Sequence, residues 1–124
     1  TELRGGGLTG LLRRQEQEAV RALAAVAPGQ RVLDVGCGDG EVLAWLGAQG
    51  ARAIGVDLVP AMAAHCRRRG FDVCVQDMER LGVRPAFDWV FCVGSLEFTR
   101  EPRRAVEAFA GALRAEGRLL LPFP

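Results

Sequence analysis

The sequence is poor in the residues that bind transition metals. Histidine occurs once, at His65. The four cysteines are Cys37, Cys66, Cys74 and Cys92, and no two of them form a C-x-x-C pair. A zinc site needs about four closely spaced ligands, so the sequence predicts no metal centre. Lone cysteines in apolar segments are mostly small buried side chains, which favours a reducing compartment and therefore a cytoplasmic location.

Long apolar runs and an excess of one charge are also missing. No apolar run approaches the roughly 18–20 residues of a transmembrane helix, although apolar residues make up 49% of the chain. A net charge of +1 creates no field that would attract nucleic acid or an anionic membrane, so neither is an expected partner. The length of 124 residues suits one domain with a packed core.

One short stretch, residues 32–40, organises the rest of the chain. Its first half, Val32 to Val35, is an apolar run that predicts a buried strand. Glycines then alternate at Gly36, Gly38 and Gly40, and a helical pattern follows directly. Glycine permits positive φ and leaves no Cβ beneath a ligand. A strand, a glycine turn and a helix in this order predict an open α/β sheet that presents backbone N–H groups to a ligand.

The spacing of these glycines separates two kinds of cofactor. The dinucleotide fingerprint needs a third glycine where this chain has Glu41, which disfavours an NAD-dependent oxidoreductase. The pattern Asp-x-Gly-x-Gly-x-Gly, beginning at Asp34, resembles the first motif of the class I S-adenosylmethionine-dependent methyltransferases. The resemblance implies that the loop passes under the methionine part of the cofactor, and that Asp34 reaches its ammonium group. A tight turn without a ligand is the alternative.

Strands and helices alternate along the remaining chain. Strands are predicted over residues 52–56, 71–76, 87–93 and 118–122, and helices over about 40–50, 60–69 and 101–114. This order predicts an α/β fold with a doubly wound, mainly parallel, Rossmann-like sheet and helices on both faces. Only five of the seven strands typical of the family are readable. We therefore expect residues 29–124 to form a C-terminally incomplete S-adenosylmethionine-binding domain.

Residues 1–28 precede this domain. A polar, glycine-rich arm is followed by a predicted helix from Thr9 to about Ala27, which ends at Pro28-Gly29. The family resemblance implies that this helix packs beside the cofactor as part of a cap or lid. A helix that simply covers a sheet face is the alternative.

Acidic residues close the second and third predicted strands. Because neighbouring parallel strands end at the same edge of a sheet, Asp57 and Asp77 are expected near the glycine loop. The resemblance implies that Asp57, with Leu58 beside it, accepts hydrogen bonds from the ribose hydroxyls. It implies that Asp77 accepts from the adenine amino group and that Met78 lies against the ring. Alternatively, Asp57 only caps the next helix and Asp77 is an ordinary loop carboxylate.

The segment after the fourth strand is expected to face the methyl group. Val93 and Gly94 lie at its start, and Glu97 is the one nearby titratable side chain that could act as a general base. Many small-molecule methyltransferases carry histidine after this glutamate, where Phe98 stands here, so histidine-based chemistry is not transferred. A capping role is the alternative for Glu97, and the catalytic residue is left open.

The resemblance, to the small-molecule (methyltransferase type 11 domain-like) branch, implies methyl transfer from S-adenosylmethionine to a small-molecule acceptor by direct displacement, with S-adenosylhomocysteine as product. A binding module that holds the cofactor without turnover is the second hypothesis. An apolar fifth strand at a sheet edge invites pairing, so we expect either a further C-terminal segment or a homodimer contact there. The predicted cofactor-binding residues are Asp34, Gly36, Cys37, Gly38, Gly40, Asp57, Leu58, Asp77, Met78, Val93 and Gly94.

Overall fold

The computed structural model describes residues 25–93 and 95–121 of the chain. The strands are β1 (Arg31–Val35), β2 (Arg52–Asp57), β3 (Val73–Val75), β4 (Phe87–Phe91) and β5 (Leu113–Leu120). The helices are α1 (Glu41–Ala48), α2 (Pro60–Arg68) and α3 (Pro102–Ala112), with two short 3-10 helices at Met78–Arg80 and Leu96–Phe98. The strands form one parallel sheet in the order β3-β2-β1-β4-β5. The predicted α/β fold class is confirmed.

Strand β1 is buried because helices cover both faces of the sheet. Leu33 and Val35 belong to an apolar cluster that includes Phe109 of α3. Val32 points to the opposite face, where it clusters with Leu46 of α1. Successive side chains of a strand point to opposite faces. Apart from Asp34, the buried residues of β1 are therefore apolar. Burial of each such side chain stabilises the fold by about 1.5–3 kcal/mol.

The sheet is wound outward from β1 in two directions. Strands β2 and β3 lie on one side of β1, and β4 and β5 lie on the other. The strand order therefore reverses between β1 and β4. In open α/β sheets this reversal leaves a crevice at the carboxyl edge of the strands, which is where their ligands bind.

Two strands are shorter than predicted. The strand expected over residues 71–76 is formed only by Val73–Val75, and the strand expected over residues 87–93 ends at Phe91. Strand β3 lacks two of the predicted residues at its start and one at its end. Strand β4 ends although the apolar run continues through Cys92 and Val93. The residues that follow each strand therefore belong to the loops at the carboxyl edge, where the crevice lies.

The connection between α3 and β5 also differs from the prediction. The helix ends at Ala112, and the chain passes directly into β5. Phe87 of β4 pairs with Leu113, but Trp89 pairs with Arg118, so the register shifts between the two pairs. Extra residues on one strand form a bulge, and here the chain turns through a positive φ of 66° at Glu116. Regular pairing begins at Arg118, where the strand was predicted.

Strands β3 and β5 are the edges of the described sheet. The predicted arm and helix lie outside the described residues as far as residue 24, so their lid role stays a prediction. Within the described ranges, no helix is both long enough and apolar enough to cross a bilayer.

Candidate functional site

A cleft of about 820 Å³ opens at the carboxyl edge of the sheet. Its volume falls within the range of about 300–1,000 Å³ that is usual for small-molecule sites. The cleft is lined by residues at the ends of β2 and β3 and by the segment that follows β4. Of the predicted cofactor residues, five line this cleft: Gly36, Asp57, Leu58, Asp77 and Met78.

The carboxylate of Asp57 holds two backbone segments in place. Its Oδ2 atom accepts a hydrogen bond from the Gly38 N–H at 3.0 Å, and its Oδ1 atom accepts one from the Val59 N–H at 3.0 Å. The second bond fixes the turn before α2, but α2 begins after Val59 and has no side-chain cap, so the capping role expected as an alternative is not formed. Each carboxylate oxygen has a further lone pair, which leaves Asp57 able to accept from a ligand as well.

The N–H groups of the glycine loop are used within the chain. Gly36 and Cys37 both donate to the Val56 carbonyl, at 2.8 Å and 3.2 Å, and Gly40 donates to the Cys37 carbonyl at 3.0 Å. With Gly38 bound to the Asp57 carboxylate, four N–H groups of the loop are committed. The expectation that the loop presents these groups to a ligand is wrong. A dinucleotide pyrophosphate needs such donors, so the loop disfavours a dinucleotide.

Gly36 lies in close contact with the segment after β4. Its φ is 72°, and a Cβ at this position would lie 2.3 Å from the Ser95 Oγ atom. Ser95 is itself fixed, because its hydroxyl donates to the Val35 carbonyl at 3.3 Å and lies 3.3 Å from the Cys92 Sγ atom. The glycine loop and the segment after β4 therefore pack directly on one another.

Asp34 is buried in β1, two residues before Gly36 of the cleft lining. The residue is 3% exposed, and among residues 25–93 and 95–121 no group donates a hydrogen bond to its carboxyl. Burial, and next the charge of Asp57, raise the pKa of Asp34 to about 8. At neutral pH the carboxyl is therefore mostly protonated. A cation bound nearby would favour the charged form and restore the carboxylate.

Asp77 begins the 3-10 helix Met78–Arg80. Its Oδ1 atom accepts from the Glu79 N–H at 2.9 Å. The side chain of Met78 packs on the apolar cluster beneath the cleft. Asp77 and Met78 therefore lie side by side on the cleft wall at the end of β3, next to Asp57 at the end of β2.

This arrangement agrees with the comparison with known protein families. The family model described as "Methyltransferase domain" matches residues 33–121. The chain belongs to this family. The match confirms the predicted class I S-adenosylmethionine-dependent methyltransferase family.

Individual methyltransferases are similar to this chain over most of its length. The ubiquinone biosynthesis O-methyltransferase of Xylella fastidiosa is 38% identical over 101 residues, which are 75% of this chain and 41% of the relative. The chain therefore spans about two fifths of the length of that relative.

Solved structures give the same result. The sugar N-methyltransferase KedS8 from Streptoalloteichus is 36% identical, with a TM-score of 0.71 over 86% of this chain and 45% of that chain. A TehB-like SAM-dependent methyltransferase from Corynebacterium glutamicum is 27% identical, with a TM-score of 0.72 over 82% of this chain and 59% of that chain. Since these names include both O- and N-methyltransferases, the family alone does not fix the acceptor atom.

Several predicted residues of this methyltransferase-family chain do not line the cleft. Cys37 is 6% exposed and packs with Leu43 in the core beneath α1 and α2. The cleft lining also leaves out Gly38, Gly40 and Val93. Their contribution is to shape the loops, as the bond from the Gly38 N–H to Asp57 illustrates. Gly94 lies outside the described residues.

The candidate base Glu97 is exposed in the 3-10 helix Leu96–Phe98 and is not part of the cleft lining. Its neighbour Phe98 does line the cleft and is 80% exposed. An exposed aromatic ring at the mouth of a site offers an apolar surface to a ligand. In the part of the chain that the structure describes, no group of three or more His, Cys, Asp or Glu side chains is placed to hold a metal ion.

Glu79 is a residue of the site that was not predicted. Its Oε2 atom accepts from the Thr99 hydroxyl, from the Arg100 N–H at 3.0 Å and from the Glu101 N–H at 3.1 Å. The hydrogen bond from Thr99 is the main cause that lowers the pKa of Glu79. Because its partners follow 20–22 residues later, no local spacing indicates the role of Glu79.

Proposed function

We propose that the cleft binds S-adenosylmethionine and that the protein transfers its methyl group to a small-molecule acceptor. The observation that carries this proposal is the position of Asp57, Asp77 and Gly36 around one cleft, with the buried Asp34 two residues before Gly36. When bound, S-adenosylmethionine supplies a methyl group that its sulfonium already activates. The chain's own task is then to bind, orient and align.

The adenosine part is assigned to the ends of β2 and β3. Asp57 retains lone pairs for the ribose hydroxyls, while its bonds to Gly38 and Val59 keep its carboxylate in position. Asp77 uses Oδ1 for the Glu79 N–H, which leaves Oδ2 for the adenine amino group. Leu58, which is 64% exposed, and Met78 supply apolar surface for the adenine ring.

The methionine part is assigned to the glycine loop. Gly36 lines the cleft, and because Ser95 occupies the space of a Cβ, the glycine loop and the segment after β4 meet where the methionine part is assigned. The buried Asp34 carboxyl lacks a donor among the described residues, and an unpaired buried polar group is costly. The ammonium group of the methionine part would supply the missing charge and hydrogen bonds, directly or through water. This makes Asp34 the strongest support for a cationic ligand.

Methyl transfer needs the acceptor atom in line behind the methyl group, and an oxygen acceptor must also lose a proton. The segment from Ser95 to Thr99 faces the cleft and is assigned to the acceptor side. Glu97 remains a proposed base only if this segment shifts when the acceptor binds. Alignment alone is sufficient for acceptors that are easily deprotonated.

Thermal-shift and calorimetric titrations with S-adenosylhomocysteine and with NAD test the cofactor. We expect saturable binding of S-adenosylhomocysteine and none of NAD. Stabilisation by NAD alone would contradict the proposal. A turnover assay that measures S-adenosylhomocysteine release across a panel of small phenols, amines and acids tests the reaction.

The second candidate is a module that binds S-adenosylmethionine without turnover. It is favoured by the position of Glu97, the one predicted base, outside the cleft lining. Binding of S-adenosylhomocysteine without turnover of any acceptor by the whole protein would support the module. Release of S-adenosylhomocysteine that depends on an acceptor would exclude it.

We also propose that β5 pairs along the edge that no described strand occupies, either with a further segment or with a second copy of the chain. Analytical ultracentrifugation distinguishes monomer from dimer. A cytoplasmic location is proposed because all four cysteines are unpaired and three of them are buried, as expected in a reducing compartment.

A further inference from the structure

Three arginines line the cleft. Arg80 ends the 3-10 helix after β3, whereas Arg100 and Arg104 come from the start of α3 and the residues just before it. None of the three forms an ion pair with a carboxylate within the described residues. Arg103 belongs to the same turn of α3 but does not line the cleft.

The two segments that carry these arginines are joined by Glu79. Its carboxylate accepts from the Arg100 N–H at 3.0 Å and from the Glu101 N–H at 3.1 Å, and it precedes Arg80 directly. The backbone at Arg100 is therefore tied to the backbone at Arg80. The Glu79 carboxylate accepts these two bonds and one from the Thr99 hydroxyl, so its role is to hold the two segments together.

The cleft lining also holds four carboxylates: Asp57, Asp77, Glu79 and Glu101. Asp57 and Asp77 each accept a backbone N–H, and Glu79 accepts the three bonds described above. Glu101 is exposed at the start of α3. None of the four forms an ion pair with Arg80, Arg100 or Arg104 within the described residues, so these three guanidinium groups are not neutralised by a direct contact there.

We propose that the methyl acceptor carries an anionic group, a carboxylate or a phosphate, which Arg80, Arg100 and Arg104 bind. This inference rests on the proposed function, because it assigns these three arginines to the binding of the methyl acceptor. The guanidinium group is a planar fork that pairs with carboxylate and phosphate through two parallel hydrogen bonds. Arginines from two tethered segments can therefore hold such a group while its remaining part extends toward the glycine loop.

Probes of matched shape test this proposal. Benzoate and phenyl phosphate are titrated by calorimetry or NMR against their neutral analogue benzamide, with and without saturating S-adenosylhomocysteine. We expect at least one anion to bind about tenfold or more tightly than benzamide, since each charge-assisted pair contributes substantially. Benzoate and phenyl phosphate distinguish a carboxylate from a phosphate. Equal binding of all three probes would overturn the proposal.

Charge-removing variants locate the site. The double variant Arg100→Gln with Arg104→Gln is expected to bind the preferred anion about tenfold more weakly. The control Arg103→Gln removes a charge from the same helical turn and is expected to change binding by less than about twofold. If the control weakened anion binding as much as the double variant does, the anion would be responding to the general electrostatic field of the protein. This result would overturn the proposed site.

The affinity for S-adenosylhomocysteine separates failure of this proposal from failure of the proposed function. Normal S-adenosylhomocysteine binding without discrimination of anions would remove only the arginine site. Selective anion binding without S-adenosylhomocysteine binding would remove the proposed function. If the double variant does not fold, as judged by circular dichroism, the single variant Arg80→Gln is compared with Arg103→Gln in the same way.

Discussion

Asp57 and Gly38 are joined by a hydrogen bond of 3.0 Å from the Gly38 N–H to the Asp57 carboxylate. The bond connects the end of β2 to the glycine loop after β1. The side chain that is assigned to the ribose therefore also shapes the loop that is assigned to the methionine part. Loss of this carboxylate should affect ligand binding and loop structure together.

Asp57→Ala is expected to weaken S-adenosylhomocysteine binding by about 1–3 kcal/mol, because a hydrogen-bonding carboxylate at the ribose is lost. Calorimetric titration measures this change. Asp72→Ala is the matched control. Asp72 is an exposed aspartate just before β3, and it therefore lies at the amino ends of the strands, away from the cleft at their carboxyl ends. Unchanged affinity in Asp57→Ala would show that the ribose contact is misassigned.

Asp34 should make the stability of the protein depend on pH. Its folded pKa of about 8 lies above the ordinary value of 3.8, so the folded state holds a proton that the unfolded state releases. The free energy of unfolding should therefore fall as pH rises from about 4 to 8, by up to about 1.4 kcal/mol per pH unit. Asp34→Asn keeps the size of the side chain and removes the titration.

Urea denaturation between pH 4 and 8 measures this effect. The Asn variant should become progressively more stable than the natural protein as pH rises. Parallel stability curves for the two proteins would contradict the buried, protonated carboxyl.

Ligand binding should release a proton from Asp34. If the ammonium group of S-adenosylhomocysteine approaches this carboxyl, it favours the carboxylate and lowers the pKa from about 8. At pH 7 binding should then release up to about one proton, which is measured by calorimetry in buffers of different ionisation enthalpy. Asp34→Asn should bind without this release. Proton release that persists in Asp34→Asn would assign it to another group.

Gly36 and Gly38 provide a test of the packing between the glycine loop and the segment after β4. Both have positive φ, 72° and 56°, but only Gly36 would place a Cβ against Ser95, whereas nothing lies within 4 Å of a Cβ at Gly38. Gly38→Ala should therefore cost about 1–2 kcal/mol for its backbone conformation alone. Gly36→Ala should cost more, because Ser95 must also move.

Thermal denaturation of the two variants measures the difference. Gly36→Ala should also weaken S-adenosylhomocysteine binding more than Gly38→Ala, since Gly36 lines the cleft. Equal stability of the two variants would indicate that Ser95 does not rest on Gly36.

The parts of the site that could be predicted are those set by local pattern and strand order. The run from Val32 to Gly40 carries its strand and turn signals within nine residues, and the helical pattern follows directly. Asp57 and Asp77 follow because parallel strands end at one edge. The hydrogen bond from Ser95 joins residues that are 60 positions apart, and the bonds that Glu79 accepts come from residues 20–22 positions away. No periodicity in the sequence indicates such pairs. The hydrogen bonds that the loop N–H groups form within the chain also depend on how β2 runs beside the loop.

Glu79 is therefore the residue whose role needs a direct test. The N–H groups of Arg100 and Glu101 both donate to its carboxylate, so Glu79→Ala should leave them without an acceptor. Hydrogen exchange, measured by mass spectrometry, should become faster in the peptide that covers residues 98–104. Exchange of β1, at the centre of the sheet, should stay unchanged.

Two further variants separate the carboxylate from the hydroxyl that binds it. Thr99→Val removes only the hydroxyl partner and should leave the Arg100 and Glu101 bonds intact. Glu79→Gln keeps one acceptor oxygen and should give intermediate exchange. Because the Thr99 hydroxyl holds the pKa of Glu79 below its ordinary value, the stabilisation from this carboxylate is present at neutral pH and is lost on acidification through the folded pKa. Exchange in Glu79→Ala that equals that of the natural protein would mean that α3 is held in place without Glu79.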